Sequence, residues 1–167
     1  MTDDKGMLLR PVRAGDLAAV RRLNTAAVPA VNGLSAGELV WFSEVATSFL
    51  VAVQPDSSLV GFLVGLEGPG LDYDSSNYRW FEQRYENFLY VDRVVVDPSG
   101  QGRGIGRSLY GAFVERAEGH RFLCAEVNIR PRNDVSLAFH DAFGFCGVGE
   151  QDTEGGSKRV LMLVKEI

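Results

Sequence analysis

The stretch Val94–Leu109, with the sequence VVVDPSGQGRGIGRSL, decides the fold. Three β-branched residues end a strand, and the segment Gln101-Gly102-Arg103-Gly104-Ile105-Gly106 leads into an amphipathic helix. The first amides of a helix lack intrahelical acceptors and lie at the positive end of its dipole, and glycines let an anion approach the backbone. The turn therefore predicts a phosphate or pyrophosphate site, to which Arg103 and Arg107 could add charge.

Two common phosphate-binding patterns do not fit this turn. No Gly-Lys-Ser/Thr follows it, so it is not a Walker A loop. The alternation of Gly102, Gly104 and Gly106, late in the chain, also differs from the dinucleotide fingerprint, which follows the first strand of a parallel unit. The glycines alone remain compatible with a purely structural turn.

Outward from the turn, strand and helix signals alternate. Apolar periodicity predicts helices at 17–28, after Ser35, at 105–118 and at 135–143, and Ser35 with Glu38 has capping-box spacing. Strands are predicted at 8–13, 49–53, 59–66, 88–96 and 122–129, with two more in 146–166. This order predicts an α/β (α+β) domain with a mixed, mostly antiparallel sheet of six to seven strands and about four helices.

Composition narrows the class of protein. A length of 167 residues predicts a single domain over 1–167, and the net charge of −5 argues against nucleic acid as a partner. The polar N-terminus does not resemble a signal peptide, and no apolar run approaches the ~20 residues of a membrane span, so we expect a cytoplasmic protein with no membrane partner. The two histidines and two cysteines lack metal-ligand spacing, so we expect no metal and two free core thiols.

A second motif lies in Asn133–Phe145, with the sequence NDVSLAFHDAFGF. Together with the glycine turn, in this order, it resembles the acyl-coenzyme A signature of the GNAT superfamily of N-acetyltransferases. The first motif of that family is Gln/Arg-x-x-Gly-x-Gly/Ala, and the second is roughly Asn-x-x-Ala/Ser-x-x-Leu/Phe-Tyr-x-x-x-Gly-Phe. The predicted element order over almost the whole chain is also similar to this family.

The resemblance implies acetyl-coenzyme A as co-substrate and assigns its binding residues. Backbone groups of Val94, Val95 and Val96 would pair with the pantetheine arm, helped by a β-bulge near these residues. The amides from Gln101 to Gly106, with Arg107 just beyond, would hold the pyrophosphate. Asn133 would hydrogen-bond the cofactor arm, and Phe139 would pack near it.

Three residues are candidates for the proton transfers of acetyl transfer to an amine. Asp92 is the first candidate base, because it shares a strand face with Val96 and many family members carry a carboxylate there; it could instead pair with Arg93. Glu126, in a predicted apolar strand, is the second candidate, unless it is a half-exposed strand residue. His140 stands where many family members carry a tyrosine that acts as general acid, although a structural role is equally open.

The connection 67–87 is longer than is usual in the family and rich in aromatic and acidic residues. Tyr78, Trp80 and Tyr85 are predicted to bind the acceptor, because aromatic faces and carboxylates suit a cationic amine. A packed lid with solvated acidic edges is the alternative. The residues between Tyr78 and Glu86 are predicted to form a short helix within this loop.

The predicted function is therefore N-acetyl transfer to a primary amine of a small molecule or peptide, by direct transfer in a ternary complex. A non-catalytic acyl-coenzyme A-binding or sensing domain of the same fold is the alternative, and a nucleotide-binding module is a third. The two C-terminal strands could support a homodimer.

Overall fold

The computed structural model of the protein describes residues 6–167. Its strands are β1 (Leu8–Pro11), β2 (Ser48–Val53), β3 (Leu59–Gly68), β4 (Phe88–Val96), β5 (Phe122–Arg130), β6 (Cys146–Thr153) and β7 (Lys158–Glu166). Its α-helices are α1 (Leu17–Ala27), α2 (Ala36–Val45), α3 (Ser76–Glu82), α4 (Ile105–Val114) and α5 (Asp134–Phe143). The predicted α/β class and the predicted order of elements are confirmed.

The seven strands form one sheet in the order β1-β2-β3-β4-β5-β7-β6. The pairs β1–β2, β2–β3, β5–β7 and β6–β7 are antiparallel. β4 and β5 are parallel and pair through Phe88–Tyr90 and Phe122–Cys124, and β4 continues beyond this ladder to Val96. The predicted mixed, mostly antiparallel sheet is confirmed.

The described residues contain five α-helices, where the sequence predicted about four. The fifth is α3, the short helix predicted inside the connection 67–87; it has seven residues and spans Ser76–Glu82, whereas the prediction ran from Tyr78 to Glu86. It begins where the Ser75 hydroxyl accepts a hydrogen bond from the Tyr78 amide at 3.2 Å, and it buries Tyr78 and Phe81. A helix of two turns gives a weak periodic signal, so burial of these two rings decides its place more than helix propensity does.

The chain divides into two compact units. The first comprises the chain up to Leu66 together with Asp92–Ala117. β2 is buried along its whole length in this unit, and α2 begins with the predicted capping box. The Ser35 hydroxyl accepts from the Glu38 amide at 3.1 Å, and the Glu38 carboxylate accepts from the Ser35 amide at 2.8 Å. Such a cap stabilises the helix start by about 1 kcal/mol.

The second unit comprises Glu67–Val91 and Glu118–Ile167. Its core contains an aromatic cluster in which Tyr78 and Phe81 of α3 pack against Phe88 and Tyr90 of β4, with ring centroids 5.6 to 6.5 Å apart. All four rings are at most 1% exposed. Because each buried aromatic removes a large apolar area from water, this cluster fixes α3 on the strands beneath it.

The two cysteines are free, as predicted, but only Cys124 lies in the core. Burial raises the pKa of the Cys124 thiol, which stays protonated at neutral pH. The prediction of a core position for Cys146 is wrong: this residue begins the edge strand β6, pairs only with Val164 of β7, and is exposed.

Candidate active site

The glycine turn of the first unit has the backbone geometry of an anion site. A 3-10 turn, Pro98–Gly100, is capped by the Asp97 carboxylate, which accepts from the Ser99 amide at 2.9 Å. Gly104 then serves as the N-cap of α4 without any side-chain cap. Since the first amides of a helix have no intrahelical acceptor, α4 begins with donors that an anion can bind.

Positive backbone angles explain the glycines at 102 and 104. Their φ values are 75° and 78°, in the left-handed region that other L-residues enter only with strain. A Cβ at Gly104 would meet no atom within 4 Å, so conformation requires glycine there and space does not. Around these glycines, Gln101, Arg103 and Arg107 are exposed and Ile105 is buried.

The end of β4 leads directly into this turn. Val95 is buried, whereas Val94 and Val96 are half-buried. The Asp97 amide donates to the Val60 carbonyl at 2.8 Å, which ties the strand end to β3. The predicted β-bulge near Val94–Val96 stays a prediction.

Asp92, the first candidate base, lies in a buried ion pair. Its carboxylate accepts from Arg93 Nε at 2.8 Å, and the side chains of Asp92 and Arg93 are only 4% and 8% exposed. Arg93 Nη1 also donates to Asn24 Oδ1 at 3.0 Å and to the Asn32 carbonyl at 2.9 Å. The Arg93 contacts therefore join β4 to α1 and to the segment that follows α1, and they hold the Asp92 carboxylate in place.

Glu126, the second candidate base, is held by two hydrogen-bond donors in the second unit. Its Oε1 accepts from the Tyr90 hydroxyl at 2.7 Å and from Asn77 Nδ2 at 3.2 Å. Asn77 Oδ1 in turn accepts from Gln151 Nε2 at 2.8 Å. These bonds orient a half-buried carboxylate on β5, which is the arrangement that a positioned general base requires.

Tyr90, Asn77 and Gln151 are not among the site residues predicted from the sequence. A signal for Tyr90 exists, because it pairs with Cys124 in the parallel ladder and Glu126 follows Cys124 on the same strand face. Asn77 and Gln151 come from α3 and β6, whose positions relative to Glu126 depend on tertiary packing. Spacing along the chain carries no signal for those two residues.

His140 is buried in α5, with 3% exposure. Its Nδ1 lies 2.7 Å from the Ser136 carbonyl oxygen, so Nδ1 carries the proton and donates to that oxygen. The rings of Phe139 and Phe145 pack edge-on against the imidazole at 5.1 Å. Donation of a proton from His140 to the thiolate stays a prediction. Because the proton on Nδ1 is donated to the Ser136 carbonyl, donation to the thiolate requires a second proton on the ring.

The lowered pKa of His140 predicts a pH-dependent stability. Burial lowers this pKa below its ordinary value of 6.5, so below that pH the unfolded chain binds a proton that the folded protein excludes. We expect the free energy of unfolding to fall as the pH drops below about 6.5, until the folded-state pKa is passed. Urea unfolding from about pH 8 to pH 5 checks this, and His140→Asn should lack this component. If the free energy of unfolding of His140→Asn keeps the wild-type pH dependence, the prediction is wrong.

The other predicted cofactor contacts on α5 have local partners. Asn133 is the N-cap of α5, and its Oδ1 accepts from the Ser136 amide at 3.1 Å. Phe139 stacks on Phe143, with ring centroids 6.1 Å apart. The roles of Asn133 and Phe139 toward coenzyme A stay predictions.

The three aromatic residues predicted to bind the acceptor differ in accessibility. Tyr78 is 0% exposed, and its hydroxyl donates to the Glu67 carbonyl at 3.0 Å. Tyr85 packs edge-on against Phe122, with ring centroids 5.0 Å apart. Trp80 is half-buried, and the Arg84 guanidinium lies 3.9 Å above its ring. A direct acceptor contact is therefore open to Trp80 and Tyr85 in this conformation, whereas Tyr78 supports the segment from within.

Membrane-spanning helices and clusters of metal-binding side chains are both absent from residues 6–167. Within this range no helix combines the length and the apolar character needed to cross a membrane. The same residues contain no group of three or more His, Cys, Asp or Glu side chains placed to hold a metal ion.

Comparison with known proteins establishes the family. A family model described as Acetyltransferase (GNAT) family matches residues 18–145, a range that contains both the glycine turn and the Asn133–Phe145 motif. The chain belongs to the GNAT acetyltransferase family. The predicted resemblance to this family is thus confirmed.

Two relatives of this chain are named as acetyltransferases of different amines. The chain is 27% identical over 135 residues to an L-2,4-diaminobutyric acid acetyltransferase of Nocardia farcinica, a match that covers 81% of this chain and 62% of that protein. It is 27% identical over 118 residues to a spermine/spermidine N(1)-acetyltransferase of Bacillus subtilis, covering 70% of this chain and 69% of that one. The chain thus spans less than two thirds of the first relative.

A solved GNAT structure supports the fold. Arabidopsis thaliana NAA60, crystallised with acetyl-CoA, superposes with a TM-score of 0.73 at 18% identity, covering 96% of this chain and 99% of that one. At this identity the likeness establishes the fold alone, and it confirms the predicted GNAT fold.

Proposed function

We propose that this chain transfers an acetyl group from acetyl-coenzyme A to a primary amine, by direct transfer in a ternary complex. The observation that carries the proposal is the Glu126 carboxylate, held by the Tyr90 hydroxyl and the Asn77 amide in a chain of the GNAT family. We favour Glu126 as the general base and keep Asp92 as the second candidate, because the Asp92 carboxylate is engaged in a buried ion pair with Arg93.

Acetyl-coenzyme A is the proposed donor. The amides of Gln101–Gly106 would hold the pyrophosphate, with the exposed Arg103 and Arg107 adding positive charge. Backbone groups of Val94, Val95 and Val96 would pair with the pantetheine arm, and β4 does run past the end of its ladder with β5. Asn133 and Phe139 would complete the contacts with the arm. The glycine turn supports this assignment through its φ angles and the uncapped start of α4.

The proposed reaction needs one proton acceptor and one proton donor. An alkylammonium substrate has a pKa near ~10, so it must lose a proton before its nitrogen attacks the thioester carbonyl. Glu126 accepts that proton, directly or through water. The neutral amine attacks, the C–N bond forms and the C–S bond breaks. The nitrogen releases its second proton as the amide forms, and this proton balances the one that the coenzyme A thiolate takes, for which His140 is the predicted donor. The kcat of His140→Asn measures the share of His140 in this step.

A substitution at Gly104 tests the donor site. We expect Gly104→Ala to reduce stability by about 1–2 kcal/mol, because alanine is strained at a φ of 78°. Residue 104 then relaxes away from the left-handed region. Binding of acetyl-coenzyme A must restore the original turn conformation, so the KM for acetyl-coenzyme A should rise by roughly tenfold. Coenzyme A-dependent thermal shifts and steady-state kinetics measure both effects.

Gly111→Ala is the matched control for Gly104→Ala. Gly111 lies inside α4, and a Cβ there meets no atom within 4 Å. Alanine should stabilise the helix by up to about 1 kcal/mol and leave the KM for acetyl-coenzyme A unchanged. Equal KM values for the Gly104 and Gly111 variants would argue against a pyrophosphate site at the turn.

The proposed acceptor is a primary amine on a small molecule or peptide, with no nucleic acid involved. Support comes from relatives named for diaminobutyrate and spermine/spermidine, both of which are amines. Trp80 and Tyr85, with the carboxylates of segment 67–87, remain the proposed contacts with the acceptor. Cytoplasmic location and a homodimer stay predictions.

Release of coenzyme A from acetyl-coenzyme A, with a panel of diamines, polyamines, amino acids and N-terminal peptides, tests the proposed function. We expect turnover with at least one class of amine. Tight coenzyme A binding without turnover on any amine would favour the sensing domain instead. Better thermal protection by ATP or NAD than by coenzyme A would favour the nucleotide-binding alternative.

A further inference from the structure

We propose that Asn77 and Gln151 are positioning residues for the Glu126 carboxylate, and that they make the α3 segment part of the catalytic apparatus. This inference rests on the proposed function of Glu126 as general base. It goes beyond that function because neither amide belongs to the glycine turn or to the Asn133–Phe145 motif.

The hydrogen bonds of Asn77 define which atom of its side-chain amide faces Glu126 and which faces Gln151. The carboxylate of Glu126 only accepts, so Asn77 must present Nδ2 to it, at 3.2 Å. Gln151 Nε2 donates to Asn77 Oδ1 at 2.8 Å, and an amide turned the other way would place two donors against each other. Gln151 therefore fixes the orientation in which Asn77 can donate to Glu126.

The backbone around Asn77 is fixed independently of these polar contacts. Asn77 lies in the first turn of α3, directly after the Ser75 cap. Three residues later, Trp80 packs so closely on Gly149 of β6 that a Cβ there would lie 2.6 Å from Trp80 Cζ2. Gln151 is two residues beyond Gly149 on β6. The α3–β6 packing thus places both amides before any substrate binds.

Tyr90 is a second donor to Glu126. Its hydroxyl shares Oε1 with Asn77, so two donors from different elements fix one oxygen of the carboxylate. Two donors restrict the rotation of a Glu side chain more than one does, and hydrogen bonds to the charged form favour that form. Loss of Asn77 should therefore both loosen Glu126 and raise its affinity for a proton.

The neighbours of Glu126 on β5 and β7 are mostly uncharged. On β5 the neighbouring titratable group is the Cys124 thiol, whose pKa burial raises. On β7 the residues paired with Asn128, Glu126 and Cys124 are apolar: Val160, Met162 and Val164. The charged residues on and beside α3 and β6 have other partners: Arg79 with Asp74, Glu82 with the Gly70 amide, and Arg159 of β7 with Glu150 and Asp152.

The experiment compares Asn77→Ala, Gln151→Ala and their double variant with the wild type in full-length protein. We expect Asn77→Ala to lower kcat by up to about 10²-fold with the KM for acetyl-coenzyme A unchanged. The acid limb of the kcat/KM profile should move to higher pH, and further for Asn77→Asp, which puts a like charge beside Glu126. Gln151→Ala should have a smaller effect that disappears in the Asn77→Ala background, because Gln151 acts through Asn77.

Gln83→Ala is the matched control, since it removes an exposed amide from the C-terminal end of the same helix. It should leave kcat and the pH profile at wild-type values. Wild-type values for Asn77→Ala would overturn the inference. So would a further loss of kcat when Asn77→Ala is added to Glu126→Gln, because Asn77 would then act elsewhere.

An NMR titration separates this inference from the proposed function. In protein with ¹³C-labelled glutamate, Glu126 is assigned by its absence in Glu126→Gln, and its titration needs no turnover. We expect the Glu126 midpoint to move to higher pH in Asn77→Ala and to stay in place in Gln83→Ala. An unmoved midpoint overturns the positioning role even if acetyl transfer is found. Wild-type kcat in Glu126→Gln instead overturns the proposed base, whatever the titration shows.

Discussion

Replacing Glu126 with glutamine is expected to lower kcat by about 10²–10⁴-fold, the range that a positioned general base supplies. Glutamine keeps the size of the side chain, so the folded structure and the KM for acetyl-coenzyme A should change little. The measurement is steady-state kinetics with the best amine from the panel, at saturating acetyl-coenzyme A. Raising the pH should recover part of the rate in the variant, because more of the amine is then neutral before it binds.

Asp92→Asn is the comparison that separates the two candidate bases. If Glu126 is the base, Asp92→Asn loses stability through its ion pair with Arg93 but keeps kcat within about tenfold of wild type. A large loss of kcat in Asp92→Asn, together with wild-type kcat in Glu126→Gln, would transfer the role of base to Asp92.

Replacing Arg93 with methionine is expected to reduce the free energy of unfolding by about 3–5 kcal/mol, as when one partner of a buried ion pair is removed. Methionine fills much of the same volume, but Asp92 loses its ion-pair partner in a site where its side chain is 4% exposed. Asn24 and Asn32 also lose the donors that Arg93 supplies. Urea unfolding measures the change.

The double variant Asp92→Asn with Arg93→Met supplies the control for the Arg93 prediction. Removing both charges avoids a buried carboxylate without its counterion, so the double variant should be more stable than Arg93→Met alone. If Arg93→Met costs less than about 1 kcal/mol, the contacts of Arg93 with Asp92, Asn24 and Asn32 do not stabilise the fold as their burial indicates.

Local signals in the sequence were sufficient for most of the fold. The Ser35–Glu38 box is complete within four residues, and the alternation of the glycines and the start of α4 are equally local. The segment 67–87 also contained a usable signal. Tyr78, Phe81 and Tyr85 follow helical spacing, which places Tyr78 on an inward face and Trp80 off that face. The prediction relied on the aromatic content of the segment and not on that spacing, so it gave Tyr78, Trp80 and Tyr85 the same role.

The polar contacts around Glu126 could not be predicted in the same way. Its partners Tyr90 and Asn77 are 36 and 49 residues away, and Gln151 is 74 residues from Asn77. Such contacts exist only once strands and helices have packed. The sequence could nominate Glu126 as a carboxylate in an apolar strand, but the identity of its donors depends on the register of β4 with β5 and on where α3 lies.

Gly149 links the packing of α3 to the sequence variation that the fold can tolerate. Trp80 occupies the space that any other residue at position 149 would need, so even alanine there must displace the indole or shift the helix. A change at 149 would reach Asn77 without altering a charge or a polar group. Sequence variation at this edge-strand position therefore has a route to the geometry of Glu126 through a single apolar contact.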